Sequence, residues 1–167
     1  MPGESLPPEE PDRVRGAVAA IVQTLRESPT GPRRLDRFVA AVAQFFDIAE
    51  GDARALLQRI DTAEEWMEGP DVGITVMPVM AGERVNSALA SFVRLPPGVT
   101  LGTHVHIGRE HLLVLEGGFA DSAGHVVWPG ETLEMPAGSE HAMWGLPGPA
   151  CVCAALLWVD GGDGSAA

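Results

Sequence analysis

Apolar residues recur every three or four positions through the first part of the chain, which is the spacing of one face of an α-helix. The pattern predicts helices over residues 12–27, 33–46 and 48–60. Asp47 and Glu50 have the spacing of a capping box at the start of the third helix, and Gly69-Pro70 ends the helical part. Residues 1–11 are rich in Pro and Glu without periodicity, so we expect them to be disordered.

After Pro70 the pattern changes to short runs of β-branched and apolar residues, separated by Gly and Pro at intervals of about ten residues. Many short, evenly spaced strands are typical of an all-β sandwich or barrel. The predicted strands cover residues 74–80, 87–95, 103–107, 111–115, 126–128, 132–135, 141–145 and 150–159. We therefore expect a helical region over residues 12–70, a β-domain over residues 71–160 and a flexible tail over residues 161–167.

The net charge of the chain limits the classes of molecule that it is expected to bind. The chain has 11 arginines, no lysine and 23 acidic residues, for a net charge of −12, and neither half is basic. This disfavours binding to nucleic acid or to an anionic membrane, and a helix-turn-helix over residues 38–60 would have an acidic recognition helix. A basic protein partner is electrostatically easier.

The expected location is the cytoplasm. No stretch approaches the roughly 18 apolar residues of a membrane span, and the acidic, Pro-rich N-terminus is unlike a signal peptide. The two cysteines, Cys151 and Cys153, do not make a disulfide framework. We expect them to be small buried hydrophobic residues, with a redox or metal role as the alternative.

Four metal-ligand side chains stand at fixed offsets in the β-domain. His104 and His106 are one residue apart, so a strand places both imidazoles on the same face, and Glu110 follows a turn at Ile107-Gly108-Arg109. His141 comes after a second turn signal and could be directed toward the first three. We expect Glu116-Gly117-Gly118 to close a hairpin below them. His111 has the opposite parity to Glu110 on the strand and should point away, and His125 is expected in solvent. Three imidazoles and one carboxylate suit one divalent transition metal ion, and Zn, Fe, Mn, Ni, Co and Cu all tolerate this set.

These residues match the two motifs of the cupin superfamily. The first motif is matched by Gly98, His104, His106, Glu110 and Gly117, and the second by Gly130, Pro136, Gly138 and His141, with Gly145 in place of its final Asn. The resemblance implies a mainly β fold: a double-stranded β-helix, the cupin or jelly-roll barrel, with an N-terminal α-helical extension. It also implies that His104, His106, Glu110 and His141 hold a metal inside the barrel, which could accept a small-molecule ligand.

The run from Val114 to Gly124 further resembles the cupin half of the ChrR-type anti-sigma factors. That resemblance implies a regulatory, stress-sensing module and a sigma factor or another regulatory protein as the partner of residues 12–70. The His-x3-Cys-x2-Cys zinc motif of that family is missing, because residues 1–70 contain no His and no Cys. The alternatives for the helices are packing on the barrel or joining two chains, and we expect a homodimer.

A different function fits the same ligand set. A small metal-dependent dioxygenase acting on a carbonyl or aromatic substrate would use open coordination positions for substrate and O2. The chain has no Tyr, so a Tyr general acid or a Cys–Tyr crosslink is ruled out. Whether the protein is an enzyme stays open at this point, and no catalytic residue is assigned.

Overall fold

The computed structural model describes residues 30–159 without a break and, before them, four helical residues, Gly16, Val18, Ala19 and Val22. The rest of the predicted helix over residues 12–27 lies outside the described residues. The predicted disordered N-terminus and the predicted tail over residues 161–167 lie wholly outside them.

Within residues 30–159, two α-helices and three single turns of 3-10 helix accompany the strands. Helix α1 is Val39–Phe46 and α2 is Glu50–Arg59; the 3-10 turns are Asp36–Phe38, Ala63–Glu65 and Glu83–Val85. The predicted second and third helices are therefore present, but both begin late. The second is α-helical only from Val39, after a 3-10 turn, instead of from residue 33, and the third begins two residues later than predicted.

The predicted capping box at the start of α2 is wrong. Asp47 ends α1 in the left-handed conformation, with φ at 56°, and its carboxylate accepts hydrogen bonds from Arg84 instead. Ala49 precedes α2 and makes no side-chain cap hydrogen bond. Asp47 bonds Arg84 rather than the start of α2 because both the backbone N–H and the guanidinium of Arg84 reach its carboxylate, at 2.9 and 2.6 Å.

Ten strands in the described part form two antiparallel sheets. They are β1 Met67–Glu68, β2 Thr75–Pro78, β3 Ala88–Leu95, β4 Thr100–Val105, β5 Arg109–Glu116, β6 Phe119–Asp121, β7 Val126–Val127, β8 Thr132–Met135, β9 Glu140–Gly145 and β10 Cys151–Trp158. One sheet has the order β1-β2-β3-β10-β5-β8 and the other β4-β9-β6-β7. The mainly β fold with a helical extension is confirmed.

The turn at Glu116-Gly117-Gly118 departs from the expected hairpin. Strands β5 and β6 are not paired, because β5 lies between β10 and β8 while β6 lies between β9 and β7. The turn therefore carries the chain from one sheet to the other. Gly117 has φ at 64°, and a Cβ there would lie 2.6 Å from the Pro149 carbonyl oxygen, so only glycine fits.

Strand β10 separates two hydrophobic cores. Cys151, Cys153 and Ala155 face the space between the sheets, where they meet apolar residues of both. Val152 and Leu156 face the helices. A strand that is buried on both faces has a continuous apolar sequence, and β10 has such a sequence. Both cysteines are buried and free, as predicted for small hydrophobic residues.

The helices cover the outer face of the six-stranded sheet. Val42 and Phe46 of α1 are fully buried, and the Phe46 ring meets the Phe92 ring of β3 edge-on at 5.3 Å. At the edge of this contact Arg34 bonds Asp61 and, at 2.6 Å, Glu116 at the end of β5. No helix in the described part has both the length and the apolar character to cross a membrane.

Candidate metal centre

Strands β4 and β9 bring the histidines together. His104 on β4 is paired directly with His141 on β9. His106 follows β4, and its backbone N–H and carbonyl bond Ser139 and Gly138 in the turn that precedes β9. The three imidazole rings lie 4.8–4.9 Å apart, centre to centre. One ligand atom of each lies within 4.8 Å of those of the other two, so the cluster could hold a metal ion.

Each histidine has its Nδ1 occupied by a hydrogen-bond acceptor. His104 Nδ1 donates to the Gly102 carbonyl at 2.9 Å, and His106 Nδ1 donates to Ser139, at 3.2 Å to its carbonyl. His141 Nδ1 donates to the Asp121 carboxylate at 2.9 Å. A ring that donates through Nδ1 keeps its Nε2 as the ligand atom. The same tautomer is thus set for His104 and His141, whereas His106 has a second acceptor, Glu110, at its Nε2.

His141 gives the sharpest test of whether a metal fits. Its side chain is fully buried, and within the described residues its Nε2 makes no hydrogen bond. A buried polar atom without a partner costs free energy. The unpartnered atom here is the Nε2 of a ring that Asp121 orients toward two more imidazoles, and a metal ion would give that atom a partner. The donor set is borderline-soft nitrogen with a nearby carboxylate, which is what first-row transition metals prefer. The residues present therefore fit a metal ion.

Glu110 adjoins this cluster through a single contact. It lies near the start of β5, after the predicted turn, and its Oε2 is 2.9 Å from His106 Nε2. The hydrogen bond from His106 to this carboxylate raises the pKa of His106 despite its burial. The four predicted ligands are thus neighbours, but the cluster within mutual ligand distance consists of the three histidines.

The turn before Glu110 depends on Gly108. A Cβ at this position would lie 1.3 Å from the Trp158 carbonyl oxygen, so the chain passes against the end of β10 with no room for a side chain. This close approach fixes where β5 begins, and therefore where the Glu110 carboxylate stands relative to His106.

Gly145, which replaces the Asn of the second motif, has a steric explanation. Its N–H bonds the Val99 carbonyl, and a Cβ would lie 2.3 Å from the Pro96 carbonyl oxygen. A side chain does not fit where β9 ends against the Pro96–Val99 segment. The departure from the motif therefore follows from local packing, and the histidines four and more residues away are unaffected.

Asp121 is a site residue that the sequence did not single out. Its side chain is fully buried and accepts hydrogen bonds from His141 Nδ1 and from His125 Nδ1, at 2.9 and 2.8 Å. Burial alone would raise the pKa of Asp121, but the bonds from both imidazoles and from the His125 backbone lower it. It is therefore an anion that fixes His141. The only signal was its place in the run from Val114 to Gly124.

A pocket of about 400 Å³ opens on the cluster. His104, His106 and Glu110 line it, together with apolar side chains that include Leu101 and Ile107. His141 lies behind them and is 1% exposed. A small molecule in this pocket would meet two imidazoles and a carboxylate against an apolar wall, which is the composition of a small-molecule site.

The other two histidines lie outside the cluster. His111 points to the opposite face of β5, as its parity predicts, and its ring lies 4.9 Å from Phe45 of α1. Burial lowers the pKa of His111. His125 was expected in solvent; its side chain is 44% exposed, and its Nδ1 bonds Asp121.

The fold and the site together are those of a cupin, and the family can be stated more closely. Residues 54–159, more than half of the chain, match the family described as the ChrR cupin-like domain. The chain belongs to this family. No curated protein sequence matches it significantly.

The first of three similar solved structures supports the same fold. The complex of Rhodobacter sphaeroides SigE with the anti-sigma ChrR superposes with a TM-score of 0.54 at 23% identity, over 90% of this chain and 81% of that one. An acetylacetone dioxygenase from Acinetobacter johnsonii has a TM-score of 0.47 at 16% identity, over 57% of this chain and 70% of that one. KdgF from Halomonas sp. has a TM-score of 0.46 at 20% identity, over 56% and 84%.

Proposed function

We propose that this protein is a metal-binding regulatory module of the anti-sigma-like kind, in which His104, His106, Glu110 and His141 hold one divalent transition metal ion. The observation that best supports a bound metal concerns His141. Its ring is buried and oriented by Asp121, and its Nε2 has no partner within the described residues. Glu110 is the fourth ligand because its carboxylate is already at 2.9 Å from His106 Nε2.

The contact between His106 and Glu110 supports this assignment. His106 has Ser139 on its Nδ1 side and Glu110 on its Nε2 side, both of them acceptors, and its pKa is raised. A doubly protonated imidazole satisfies both acceptors. A divalent metal cation would take the place of the Nε2 proton between the same two groups, where the Glu110 carboxylate would offset part of its charge.

A bound ion would supply Lewis-acid polarisation of a small molecule in the pocket. The chain's own residues orient the ligands: Asp121 holds the orientation of His141, and Gly102 and Ser139 hold the other two rings. Apolar side chains that include Leu101 and Ile107 would contact the bound molecule. A regulatory module needs only that the ligand or metal state changes the barrel, so no catalytic base is required.

The regulatory part of the proposal concerns the helical region. The family match covers the barrel and α2 from residue 54, and the superposition with SigE–ChrR extends over 90% of this chain. We take the partner class, a sigma factor, from that complex. Val18 and Val22 lie four residues apart and are 53% and 38% exposed, which offers an apolar stripe to a partner helix. Because residues 1–70 have no His or Cys, the contact would not depend on zinc in the helices.

The test is co-purification from the source cells with the full chain as bait, followed by mass spectrometry of what it retains. We expect a sigma factor or another transcription regulator with the wild type, and its loss in the Val18→Asp, Val22→Asp double variant. Val126→Asp is the matched control, an equally exposed valine on the barrel, and should retain the partner. Recovery of the protein alone, or only as its own dimer, would contradict the proposal.

A second candidate function is a small dioxygenase acting on a carbonyl or aromatic substrate. It is favoured by one observation, the pocket of about 400 Å³ that His104, His106 and Glu110 line. Oxygen consumption by the Fe(II)-loaded protein with diketones, flavonols and thiols is the measurement, with Glu110→Gln as the control. Turnover that Glu110→Gln abolishes would favour the enzyme; a silent panel is the result that the regulatory proposal predicts.

A further inference from the structure

A second cavity lies on the opposite face of the six-stranded sheet from the metal centre. Its volume is about 510 Å³, which is within the usual range for small-molecule sites. Helix α1 forms one wall through Phe45, and the outward residues of β5 and β10 form the floor through Leu113, Leu156 and Trp158. We call this cavity the helix–sheet groove.

The charge of the groove is opposite to that of the chain. Its lining includes Arg84, Arg109 and His111 and no Asp or Glu, although the chain carries 23 acidic residues against 11 arginines. Arg84 stands at the rim, 76% exposed and paired with Asp47. His111 Nδ1 lies 3.8 Å from the carboxylate of Glu134, which is outside the lining.

The position of Arg109 is a second observation, after the charge of the lining, that points to an anionic ligand. Its guanidinium carbon lies 4.0 Å above the centre of the Trp158 ring, which holds the group in place. Its Nε is buried and makes no hydrogen bond to any part of the chain that the structure describes. A guanidinium that is oriented and incompletely satisfied in a cavity without carboxylates is a receptor for an external anion.

We propose that the helix–sheet groove binds a small organic anion, a carboxylate on an apolar or aromatic body. Arg109 bonds the carboxylate, and Phe45, Leu113 and Trp158 contact the body. Gln44 and Thr132, which also line the groove, offer further hydrogen bonds. The site is separate from the metal pocket, and the proposal does not depend on the metal.

The groove is placed to influence the metal centre. Arg109 and Glu110 are consecutive on β5, so their side chains leave the strand on opposite faces. Arg109 enters the groove while Glu110 reaches His106 in the barrel. An anion on Arg109 is therefore one residue along the strand from a predicted metal ligand.

Isothermal titration calorimetry with 2-naphthoate and its neutral isostere 2-naphthamide tests the proposal. The full-length protein is first treated with chelator, so that the carboxylate has no metal to bind. We expect the wild type to bind 2-naphthoate about tenfold or more tightly than 2-naphthamide, because only the anion makes a charge-assisted bond to Arg109. Equal affinity for the two compounds, or binding of neither, would overturn it.

Two variants locate the site. Arg109→Gln should weaken 2-naphthoate binding by about tenfold or more and leave 2-naphthamide unchanged. Arg54→Gln, an exposed arginine on α2 outside the groove, is the matched control and should bind as the wild type does. Unchanged 2-naphthoate binding in Arg109→Gln would contradict the proposal. Should Arg109→Gln fail to fold, the comparison of acid and amide on the wild type still decides.

Discussion

The barrel and the helical layer, residues 35–60, bury opposite kinds of side chain. The buried polar residues of the described chain are His106, Asp121 and His141, and all three belong to the barrel. The buried residues of the helical layer, among them Val42, Phe46 and Leu57, are apolar. Buried polar groups are costly unless they are satisfied or functional. The contrast teaches that buried polar side chains are confined to the barrel, while the buried side chains of the helical layer are apolar.

The largest expected effect tests the apolar packing of the helical layer. Phe46 is fully buried against Phe92, so Phe46→Ala should lower the free energy of unfolding by about 3–5 kcal/mol. Phe45→Ala is the matched control, since Phe45 is only half-buried, and should cost less. Chemical denaturation measures both.

Metal binding of the same variant decides whether the two regions are separable. Folded Phe46→Ala protein should retain its metal, because the helices contribute no ligand to the cluster. If the variant folds and yet loses the metal, the division between barrel and helical layer is wrong.

The next largest effect is expected at Asp121. Asp121→Asn removes the charge that orients His141, and loss of such a partner typically weakens metal binding by about 10–100-fold. Competition with a chelator of known affinity measures the change. His125→Ala, which removes the other imidazole on the same carboxylate, should have little effect. Equal metal affinity in Asp121→Asn and the wild type would show that His141 needs no such support.

These residues also show how far the sequence could predict the site. His104, His106 and Glu110 were predictable because alternation along a strand and one short turn place them, and both are local. Asp121 was not, because its contact with His141 depends on β6 pairing with β9, twenty residues away. The same non-local choice explains the mistaken hairpin at Glu116-Gly117-Gly118, since turn residues do not say which sheet the next strand joins.

In the helical part, local patterns predicted the helices but not their ends. The apolar periodicity of α1 and α2 reflects real burial on the sheet. The capping box failed because Arg84, thirty-seven residues further along the chain, takes the Asp47 carboxylate. A partner so distant in the sequence cannot be predicted from the residues next to Asp47.

The smallest expected effect concerns the ion pair at the boundary of the two regions. The hydrogen bond from Arg34 lowers the pKa of Asp61 below its ordinary value of 3.8. Unfolded chains therefore bind this proton more readily, so the pair stabilises the fold above about pH 4 and the gain is lost as the pH falls through the lowered pKa. Because Asp61 is 49% exposed, the contribution should be only about 0.2–1 kcal/mol.

Asp61→Asn measured by denaturation across pH tests this contribution. The variant should be less stable than the wild type near neutrality and equal to it in acid. Glu68→Gln, an exposed acid on β1, is the control and should run parallel to the wild type. A difference between Asp61→Asn and the wild type that grows toward low pH would contradict the sign of the linkage.

The central claim is that His104, His106, Glu110 and His141 form a metal site. Metal analysis of the protein as isolated, by inductively coupled plasma mass spectrometry, tests it most directly. The account predicts about one transition metal ion per chain in the wild type and almost none in the His104→Ala, His141→Ala double variant, with the barrel's circular dichroism retained. Full metal occupancy in the double variant, or a wild type that neither contains nor takes up a divalent transition metal, would contradict it.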